Sequence, residues 1–593
     1  MKIKTILSWS LAALLFSCST TQKEAQKVDL DPILDQYASE LYALNPLLAT
    51  SNGVHDYNDR IALNLSQDYI NKQLALNTKY LDTVATINTD QLTDNEKLSI
   101  ELLSYKLNIE NEQLGNGYGL NRPVDQFVFS FPQNFATVAA GASYVPFKTE
   151  EDYRNFISRM NYFSQWVDEA INNMTTGLEL NNTVPKASMV KVPLQLKPLF
   201  ETAAEQSIFY RPLKNIPKEL DSAGASQLKQ DYKAAIETVL QPAYKKLNDY
   251  IENLYIPNAR ETTGLLDNSN GKEEYQYWLN FYTTLDMTPD QIFDLGMREV
   301  ARIRNEMDSL KTSTGFEGDL KAFFNYVKTD PKFFPFSTEA EVLDRYRSFE
   351  ERMEPQLKKL FNLVPKAAFE VRATEKFREA GANAQYNPPS RDGKRPGIFY
   401  ETVRDPKAYN YIDMETLFIH EAIPGHHYQV ALQQEAEIPE FRKSYWMSAY
   451  GEGWALYAES LGSQLGMFTD PYQYLGRLSN DMERAVRCVV DAGMHSKGWS
   501  REKAIQYILD NQPVTEFVAE QRIERYMVTP GQAVSYKVGE QTIIRLREEA
   551  RAKLGEKFDI REYHDEVLRY GALPLKILEK QINSWVDGKL QGE

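Results

Sequence analysis

The feature that most constrains the fold of this chain is helical periodicity, which covers much of its length. Residues 29–115 alternate apolar and polar side chains at helical spacing and contain few Gly or Pro, and residues 150–180 and 225–257 repeat this pattern. Such spacing gives each segment one apolar face to bury against a neighbour. The short run GIFYETV (397–403), after a Pro- and Gly-rich stretch, is the best strand candidate in the C-terminal half. The sequence therefore predicts a mainly α protein with a small β element.

Helix start signals are readable in the C-terminal third. Asp470 followed by Pro471 is an N-cap with proline at the first helical position, and Ser500 is a further N-cap. Thr529 and Gln532 match the capping-box spacing Thr-x-x-Gln, which predicts a helix that begins there. The helices predicted in this region cover about 411–423, 448–466, 471–498, a segment after Ser500, and about 529–555.

The N-terminus has the pattern of an export signal. Two lysines precede a short apolar run, residues 6–16, which is too short to span a bilayer as a stable helix. The sequence that ends this segment, Leu-Phe-Ser followed by Cys18, resembles a bacterial lipobox. We therefore expect Cys18 to be lipidated and to become the mature N-terminus. Cys488 is then the one remaining cysteine, so no intramolecular disulfide is expected.

Charge and hydropathy limit the partners of the chain. The formal net charge is −16, which argues against binding to nucleic acid or to an anionic membrane surface through the protein's own charge. No second apolar stretch is long enough to cross a membrane. The predicted membrane contact is therefore the lipid on Cys18, and no nucleic-acid partner is expected. The residue after Cys18 is Ser19 and not an aspartate, which favours anchoring in the outer membrane of the bacterial cell envelope, facing the periplasm.

The strongest chemical signal is the stretch LFIHEAIPGHHYQ (417–429), which holds three of the six histidines within eight residues. In the zinc-peptidase pattern His-Glu-x-x-His, two histidines one helical turn apart hold one ion, and the glutamate activates the attacking water. Here Pro424 stands where the second histidine belongs. On an undistorted helix, His426 would point about 240° away from His420, and His427 would lie roughly 10 Å further along the axis.

The residues between the histidines offer a solution. Pro424 cannot bond the carbonyl of His420, and Gly425 tolerates backbone angles that other residues avoid. A break at this pair would swing His426 into the ligand position. We favour His426 as the second ligand, with His427 as the alternative or as a substrate-binding or supporting group.

A third ligand is expected from a following helix. In SAYGEGWALYAES, Glu452 and Glu459 lie seven apart on one face, and Glu452 stands between two glycines that permit close approach to another helix. The predicted zinc site is therefore His420, His426 and Glu452, with Glu421 as the catalytic base. Glu459 is expected to be a neighbour or to accept a hydrogen bond from a ligand histidine.

Four motifs in order, HEAIPGHH, EGWALYAE, RAVRCVVDAGMHSKGWS and RYMVTPGQAVSYKVG, resemble the bacterial family known as domain of unknown function 885. The resemblance covers most of the chain after the N-terminal signal, and many members of that family are envelope lipoproteins. It implies a large helical catalytic domain similar to the zincin-like, neurolysin-like peptidases such as angiotensin-converting enzyme and the oligopeptidases. In those enzymes a strand such as GIFYETV pairs with the substrate backbone; here it could equally cover the core.

Further site residues are predicted on the helix after Asp481 and near the PGQ turn. Arg484, Arg487, Asp491 and His495 share one helix face, and Asp491 is placed to hold and charge His495, which would stabilise an oxyanion. The alternative is a salt-bridged stripe that joins helices. Tyr536 is the favoured phenol for the oxyanion, and the pair Arg525 and Tyr526 is assigned to substrate binding, with Arg525 receiving a substrate carboxylate.

The predicted organisation has three parts: a lipoprotein signal peptide (1–18), a flexible tether (19–28) and a single helical metallopeptidase-like domain (29–593). The predicted function is that of a zinc-dependent peptidase anchored in the envelope, with a peptide substrate. Two alternatives are a catalytically inactive peptide-binding lipoprotein and a metal-dependent amidase that acts on cell-wall peptides.

Overall fold

The computed structural model describes residues 29–127, 129–141, 143–217, 220–374, 384–390 and 394–592. The predicted signal peptide, the tether and Cys18 lie outside the described residues. Within the described ranges, no helix combines the length and apolar character that crossing a membrane requires. Most described residues are helical and one small sheet is present, which confirms the mainly α fold class.

The N-terminal half is a succession of helices separated by turns. They are α1 (Asp31–Leu44), α2 (Pro46–Ser51), α3 (Gln67–Ala85), α4 (Asp94–Asn116), α5 (Phe131–Ala139), α6 (Glu150–Glu179), α7 (Lys186–Met189), α8 (Val192–Glu201), α9 (Ser222–Ala235), α10 (Gln241–Tyr250), α11 (Ile256–Asn258), α12 (Gly271–Thr283), α13 (Pro289–Ser313), α14 (Leu320–Thr329) and α15 (Glu339–Leu357). The predicted helical stretch 150–180 is α6, and 225–257 is the run α9 to α11, joined by π-helical turns.

The C-terminal half contains most of the residues predicted for the functional site. Its helices are α16 (Met414–Glu421), α17 (His426–Glu435), α18 (Glu440–Lys443), α19 (Ser448–Ser460), α20 (Pro471–Lys497), α21 (Arg501–Asn511), α22 (Glu516–Val528), α23 (Ser535–Leu554), α24 (Ile560–Leu568) and α25 (Leu575–Gln591). The predicted start of α20 is confirmed, because the Asp470 side chain accepts a hydrogen bond from the Tyr472 N–H. The predicted cap of α21 is also confirmed, since Ser500 accepts from the Lys503 N–H.

The predicted capping box at Thr529 is wrong. Thr529 follows the end of α22 and its hydroxyl donates back to the Arg525 carbonyl oxygen, while α23 begins only six residues later. The Gly531 N–H donates to the buried carboxylate of Asp491, so a tertiary contact holds this segment as a turn. The predicted end of the helix near Gly555 is confirmed.

The small sheet contains β1 (Phe369–Ala373), β2 (Gln385–Asn387) and β3 (Gly397–Glu401) in the order β1-β3-β2. β3 pairs parallel with β1 and antiparallel with β2. It is the strand predicted from GIFYETV, and all of its residues are buried. Because β3 is paired on both sides, it has no free edge for a substrate backbone, and the strand that faces the cleft described below is β2.

Close helix packing brings the C-terminal motifs together. A Cβ atom on Gly453 of α19 would lie 2.5 Å from the Gly539 Cα atom of α23, so the two helix backbones touch there. On α20, a Cβ on Gly476 would lie 2.0 Å from the Ile412 carbonyl oxygen, just before α16. These contacts fix α16, α19, α20 and α23 around one site.

Candidate metal centre

The predicted break between the two histidine-bearing helices is present. α16 ends at Glu421, residues 422–425 form a turn, and α17 begins at His426. The Trp454 indole N–H donates to the Pro424 carbonyl oxygen at 2.8 Å, so α19 holds the turn in place. The Pro-Gly pair thus ends one helix and lets the next begin in a new direction.

This turn brings three side chains together. The Nε2 atoms of His420 and His426 lie 3.7 Å and 3.5 Å from the same oxygen, Oε2 of Glu452. One ligand atom from each residue lies within 4.8 Å of the other two. Ligands about 2.0–2.2 Å from a tetrahedral zinc ion stand roughly 3.4 Å apart. The two nitrogen-to-oxygen distances are close to this value, and a set of two histidines and one glutamate fits zinc.

Glycines allow this approach. A Cβ on Gly425 would lie 2.0 Å from the His420 carbonyl oxygen, so a larger residue at that position would force the turn apart. On α19, a Cβ on Gly451 would lie 2.3 Å from the Trp446 ring, which packs 5.8 Å from the His426 ring. Of the two glycines beside Glu452, Gly451 thus allows the Trp446 ring to pack against α19, and Gly453 allows α23 to do so.

Glu459 supports the first histidine, as the sequence predicted. Its Oε1 lies 2.8 Å from Nδ1 of His420, which directs the other ring nitrogen at Glu452. A carboxylate in this position orients metal-ligating histidines and raises their basicity. Burial lowers the pKa of His420, but the carboxylates of Glu452 and Glu459 outweigh it and raise that pKa to about 9.

The pKa values of the two carboxyl groups at the site, Glu452 and Glu421, are displaced in opposite directions. Burial alone would raise the pKa of Glu452, but the neighbouring imidazoles of His420 and His426 outweigh it and hold that pKa well below its usual range. Burial raises the pKa of Glu421, although both imidazoles oppose this. Glu452 is therefore the anionic ligand candidate, while Glu421 has the displaced pKa that suits a proton acceptor.

A further carboxyl group, which sequence reasoning missed, lies near Glu421. Burial raises the pKa of Glu401, at the end of β3, to about 7, and the Glu421 charge acts in the same direction. One oxygen of Glu401 accepts from the Thr402 N–H, and the other is buried without a partner among the described residues. A glutamate at the end of an otherwise apolar and aromatic strand was the available sequence signal.

His427 faces away from the three candidate ligands, His420, His426 and Glu452. Its Nε2 lies 3.1 Å from the Ala367 carbonyl oxygen, which can only accept, so Nε2 carries the proton. Burial lowers the pKa of His427 to about 4, so the ring is neutral and Nδ1 accepts from the Tyr386 hydroxyl at 2.9 Å. The geometry therefore favours His426 over His427 as the second ligand candidate, because His426 lies with His420 and Glu452 while His427 is hydrogen-bonded to Tyr386.

The cluster lies in the wall of a cleft of about 1100 Å³. Besides His420, Glu421, His426 and Glu452, the cleft is lined by Tyr386 on β2, Trp446, Arg484 and Arg487 on α20, and Tyr536 on α23. The Arg487 guanidinium lies 4.5 Å from the centre of the Tyr536 ring. Burial raises the pKa of Tyr536, and the Glu452 charge acts in the same direction, so this phenol stays protonated at neutral pH.

The predicted Asp491–His495 pair is wrong. Asp491 accepts hydrogen bonds from the Tyr275 hydroxyl and the Gly531 N–H. His495 accepts from the Leu265 N–H through Nδ1, and its Nε2 donates to a backbone carbonyl oxygen. Burial lowers the pKa of His495 to about 3, so the ring is neutral. Neither residue lines the cleft. They lie further along the helix face that carries Arg484 and Arg487, where α20 packs against α12 and the turn before it.

The predicted substrate-binding residues Arg525 and Tyr526 also lie outside the cleft lining. Arg525 donates to the Gln532 side chain at 2.9 Å and covers the Phe127 ring. Tyr526 is buried in an apolar cluster between α20 and α22. Tyr386 does line the cleft but was not predicted from the sequence. It is one of 35 tyrosines in the chain, and no local pattern distinguishes it from the others.

Comparison with known proteins yields a family and two similar structures. The family model described as "Bacterial protein of unknown function (DUF885)" matches residues 46–582. A crystal structure of a "putative lipoprotein" from Colwellia psychrerythraea has 28% sequence identity and a TM-score of 0.85, and the match covers 94% of this chain and 99% of that chain. A "putative lipoprotein of unknown function" from Shewanella oneidensis has 20% identity and a TM-score of 0.77, with 94% and 100% covered; it bears on the fold alone. No curated protein matches the chain.

Proposed function

The chain belongs to the bacterial family of unknown function DUF885, and from that premise we propose that it is a zinc-dependent peptidase of the cell envelope. One observation carries the proposal. Three ligand atoms from His420, His426 and Glu452 lie within 4.8 Å of one another, next to Glu421, in the wall of an open cleft. A purely structural ion would be expected in a closed site, whereas these side chains face a space that can admit a substrate.

The residues of the cleft divide the chemistry of peptide hydrolysis among them. Zinc, when bound, would supply a Lewis acid that polarises the scissile carbonyl group. Glu421 takes a proton from the attacking water and returns it to the leaving amine, a role that its raised pKa favours. Glu459 keeps His420 aimed at the cluster, which fixes the geometry in advance.

The two cleft-lining tyrosines have different roles in the proposal. The proton of the Tyr386 hydroxyl is engaged by Nδ1 of His427, so its oxygen presents lone pairs to the cleft and can accept a hydrogen bond from a substrate N–H group. Tyr536 is protonated and faces the same cleft. We therefore assign Tyr536 as the donor to the carbonyl oxygen as negative charge develops on it.

The envelope location rests on the N-terminus. Cys18 ends an export signal that resembles a lipobox, and the Colwellia protein with 28% identity is described as a "putative lipoprotein". We infer a globular enzyme held at a membrane of the cell envelope by lipid on Cys18. Palmitate labelling of the expressed full chain tests this, and labelling that persists in Cys18→Ser contradicts it.

The activity test combines metal analysis with peptide hydrolysis. Purified without chelators, the protein is expected to carry about one zinc ion per chain and to cleave members of a peptide library, detected by mass spectrometry. Glu421→Gln should retain zinc, because Glu421 is not in the ligand set, and should lose at least about 100-fold in kcat. The exposed Glu437→Gln serves as the control for charge removal on the same region of the chain.

Three results would count against the proposal. Full hydrolysis by Glu421→Gln rules out the assigned base. Wild-type protein that binds peptides but turns none over is a peptide-binding lipoprotein. Digestion of cell-wall peptides alone, with no cleavage of general peptides, identifies an amidase that uses the same site.

A further inference from the structure

Two arginines in the cleft have no role in the chemistry proposed above. Arg484 and Arg487 lie three residues apart on α20, hence on one helix face, and both line the cleft with the metal cluster. Their side chains are 12% and 9% exposed. Guanidinium groups at such depth are costly unless they are paired, so their partners determine what they can do.

The pairing within the protein is incomplete. Arg487 donates to Glu483, and Arg484 donates to the Asn480 side chain at 2.7 Å. The Nε atoms of both arginines are buried and have no hydrogen-bond partner among the described residues. Each guanidinium group therefore keeps donor capacity beyond its contacts within the protein.

The local charge is also unbalanced. The Glu483 carboxylate lies 2.7 Å from Arg522, 2.5 Å from Arg487 and 4.0 Å from Arg484, so one anion is shared by three cations. Asp413, whose pKa burial raises to about 6, and Glu421 of the candidate metal site are further acids on which the Arg484 charge acts. A cationic patch in the interior of a chain with net charge −16 indicates a site for an anion.

The patch is next to the reacting centre. Arg487 covers the Tyr536 ring, and Tyr536 is close enough to Glu452 for that charge to affect its pKa. The charge of Arg484 opposes the rise in the Glu421 pKa. A group held by these arginines would therefore lie near a peptide bond placed at the metal cluster.

We propose that Arg484 and Arg487 form a carboxylate-binding subsite that anchors the substrate. This rests on the proposed peptidase function and adds a substrate class: peptides with a carboxylate close to the scissile bond, either the free C-terminus or an acidic side chain. Paired guanidinium groups match the planar, two-oxygen geometry of a carboxylate. The arginine first expected to take this role, Arg525, donates to Gln532 instead and lies outside the cleft lining.

The test uses four versions of one cleaved peptide: free acid or C-terminal amide, each with Gln or Glu beside the scissile bond. We expect kcat/KM to fall about tenfold or more when the recognised carboxylate is removed, as for loss of a charge-assisted hydrogen bond. Loss on amidation identifies the C-terminus, and loss on replacing Glu by Gln identifies a side chain. Equal kcat/KM for all four peptides overturns the subsite.

The variants Arg484→Met and Arg487→Met assign the effect to these residues. They should reduce the ratio of kcat/KM between carboxylate-bearing and neutral peptides towards one, and Arg→Lys should restore part of it. A merely structural defect would lower kcat/KM for both peptides and leave the ratio unchanged, which would contradict the proposal. Arg545→Met, which removes an exposed ion pair on α23, is the control.

Binding separates this inference from the activity itself. The Glu421→Gln protein, loaded with zinc, is titrated with the free-acid and neutral fluorescent peptides. Preference for the carboxylate that is lost in Arg487→Met supports the subsite even if no peptide is turned over. Hydrolysis without any carboxylate preference keeps the peptidase and rejects the subsite.

Discussion

At the scale of single residues, the three histidines of one short motif have different partners. His420 is held by Glu459 from behind and faces Glu452, and His426 faces the same Glu452 oxygen. The two ring nitrogens of His427 are instead occupied by the Ala367 carbonyl oxygen and the Tyr386 hydroxyl. Adjacent positions in the sequence thus have different chemistry.

This difference predicts the outcome of two alanine substitutions. His426→Ala removes a direct ligand and should weaken zinc binding by more than about 100-fold, whereas removal of supporting groups costs about 10–100-fold at most. His427→Ala should retain zinc nearly as wild type, because its ring does not face the cluster. Competition with a zinc-chelating dye measures both affinities. Equal loss in the two variants would contradict the geometry.

The tyrosines provide a second comparison. Tyr536→Phe removes the proposed donor to the developing oxyanion and should lower kcat by about 100-fold or more. Tyr386→Phe should mainly raise KM, since its proton is engaged by His427. Steady-state kinetics on the same peptide separates the two effects. If Tyr386→Phe lowers kcat as much as Tyr536→Phe does, the proton assignment is wrong.

At the scale of elements, the turn between α16 and α17 determines the geometry of the candidate metal site. Gly425→Ala would place a Cβ atom 2.0 Å from the His420 carbonyl oxygen, so the turn must open. We expect a loss of about 1–3 kcal/mol in the free energy of unfolding, together with weaker zinc binding. Chemical denaturation and metal analysis report the two effects.

The control for this prediction is Gly588→Ala in α25. A Cβ there meets no atom within 4 Å, and alanine is favoured over glycine in a helix interior by roughly 0.5–1 kcal/mol. This variant should be as stable as wild type or slightly more so, with unchanged zinc content. An undisturbed Gly425→Ala protein would show that the turn tolerates a side chain.

The buried His495, in the last turn of α20, predicts a pH dependence of the free energy of unfolding. The pKa of His495 is lowered to about 3 in the folded state, against about 6.5 when unfolded. Between these two pH values the unfolded chain binds the proton more readily than the folded protein does. The contribution of the neutral His495 to the free energy of unfolding is therefore complete above pH 6.5 and is lost as pH falls towards 3. The slope is at most about 1.4 kcal/mol per pH unit for this one group.

The measurement is the free energy of unfolding between pH 7 and pH 5 for wild type and His495→Asn. Asparagine keeps an acceptor for the Leu265 N–H but cannot be protonated in this range. As pH falls, the free energy of unfolding should decrease less steeply in the variant than in wild type, by up to about 1.4 kcal/mol per pH unit. Parallel curves would indicate that His495 is protonated in the folded protein.

At the scale of the whole molecule, a bound ion would join three helices, since its ligands come from α16, α17 and α19. Zinc should therefore stabilise the folded protein, by about 2.7 kcal/mol at a free concentration 100 times Kd. Thermal unfolding should show a higher Tm with zinc than after chelation. Glu452→Gln should abolish most of this difference, and an undiminished difference would place the ion elsewhere.

The helices were predictable because amphipathic spacing and caps are local properties. α6, α20 and α21 lie where the pattern and the caps placed them. The helix at Thr529 was predicted to start too early because the Asp491 contact, forty residues away along the chain, holds that segment as a turn. Local signals compete with tertiary hydrogen bonds, and at Thr529 the tertiary bond prevailed.

By itself, the sequence determined the helical class, the break at Pro424-Gly425, and the choice of His420, His426 and Glu452 as ligand candidates, because covalent geometry and helical spacing act over a few residues. Only the tertiary structure decided that His427 turns to Tyr386, that Glu401 lies near Glu421, and which part of one α20 face lines the cleft. Those outcomes depend on which helix packs against which, and burial then sets the charge of each group.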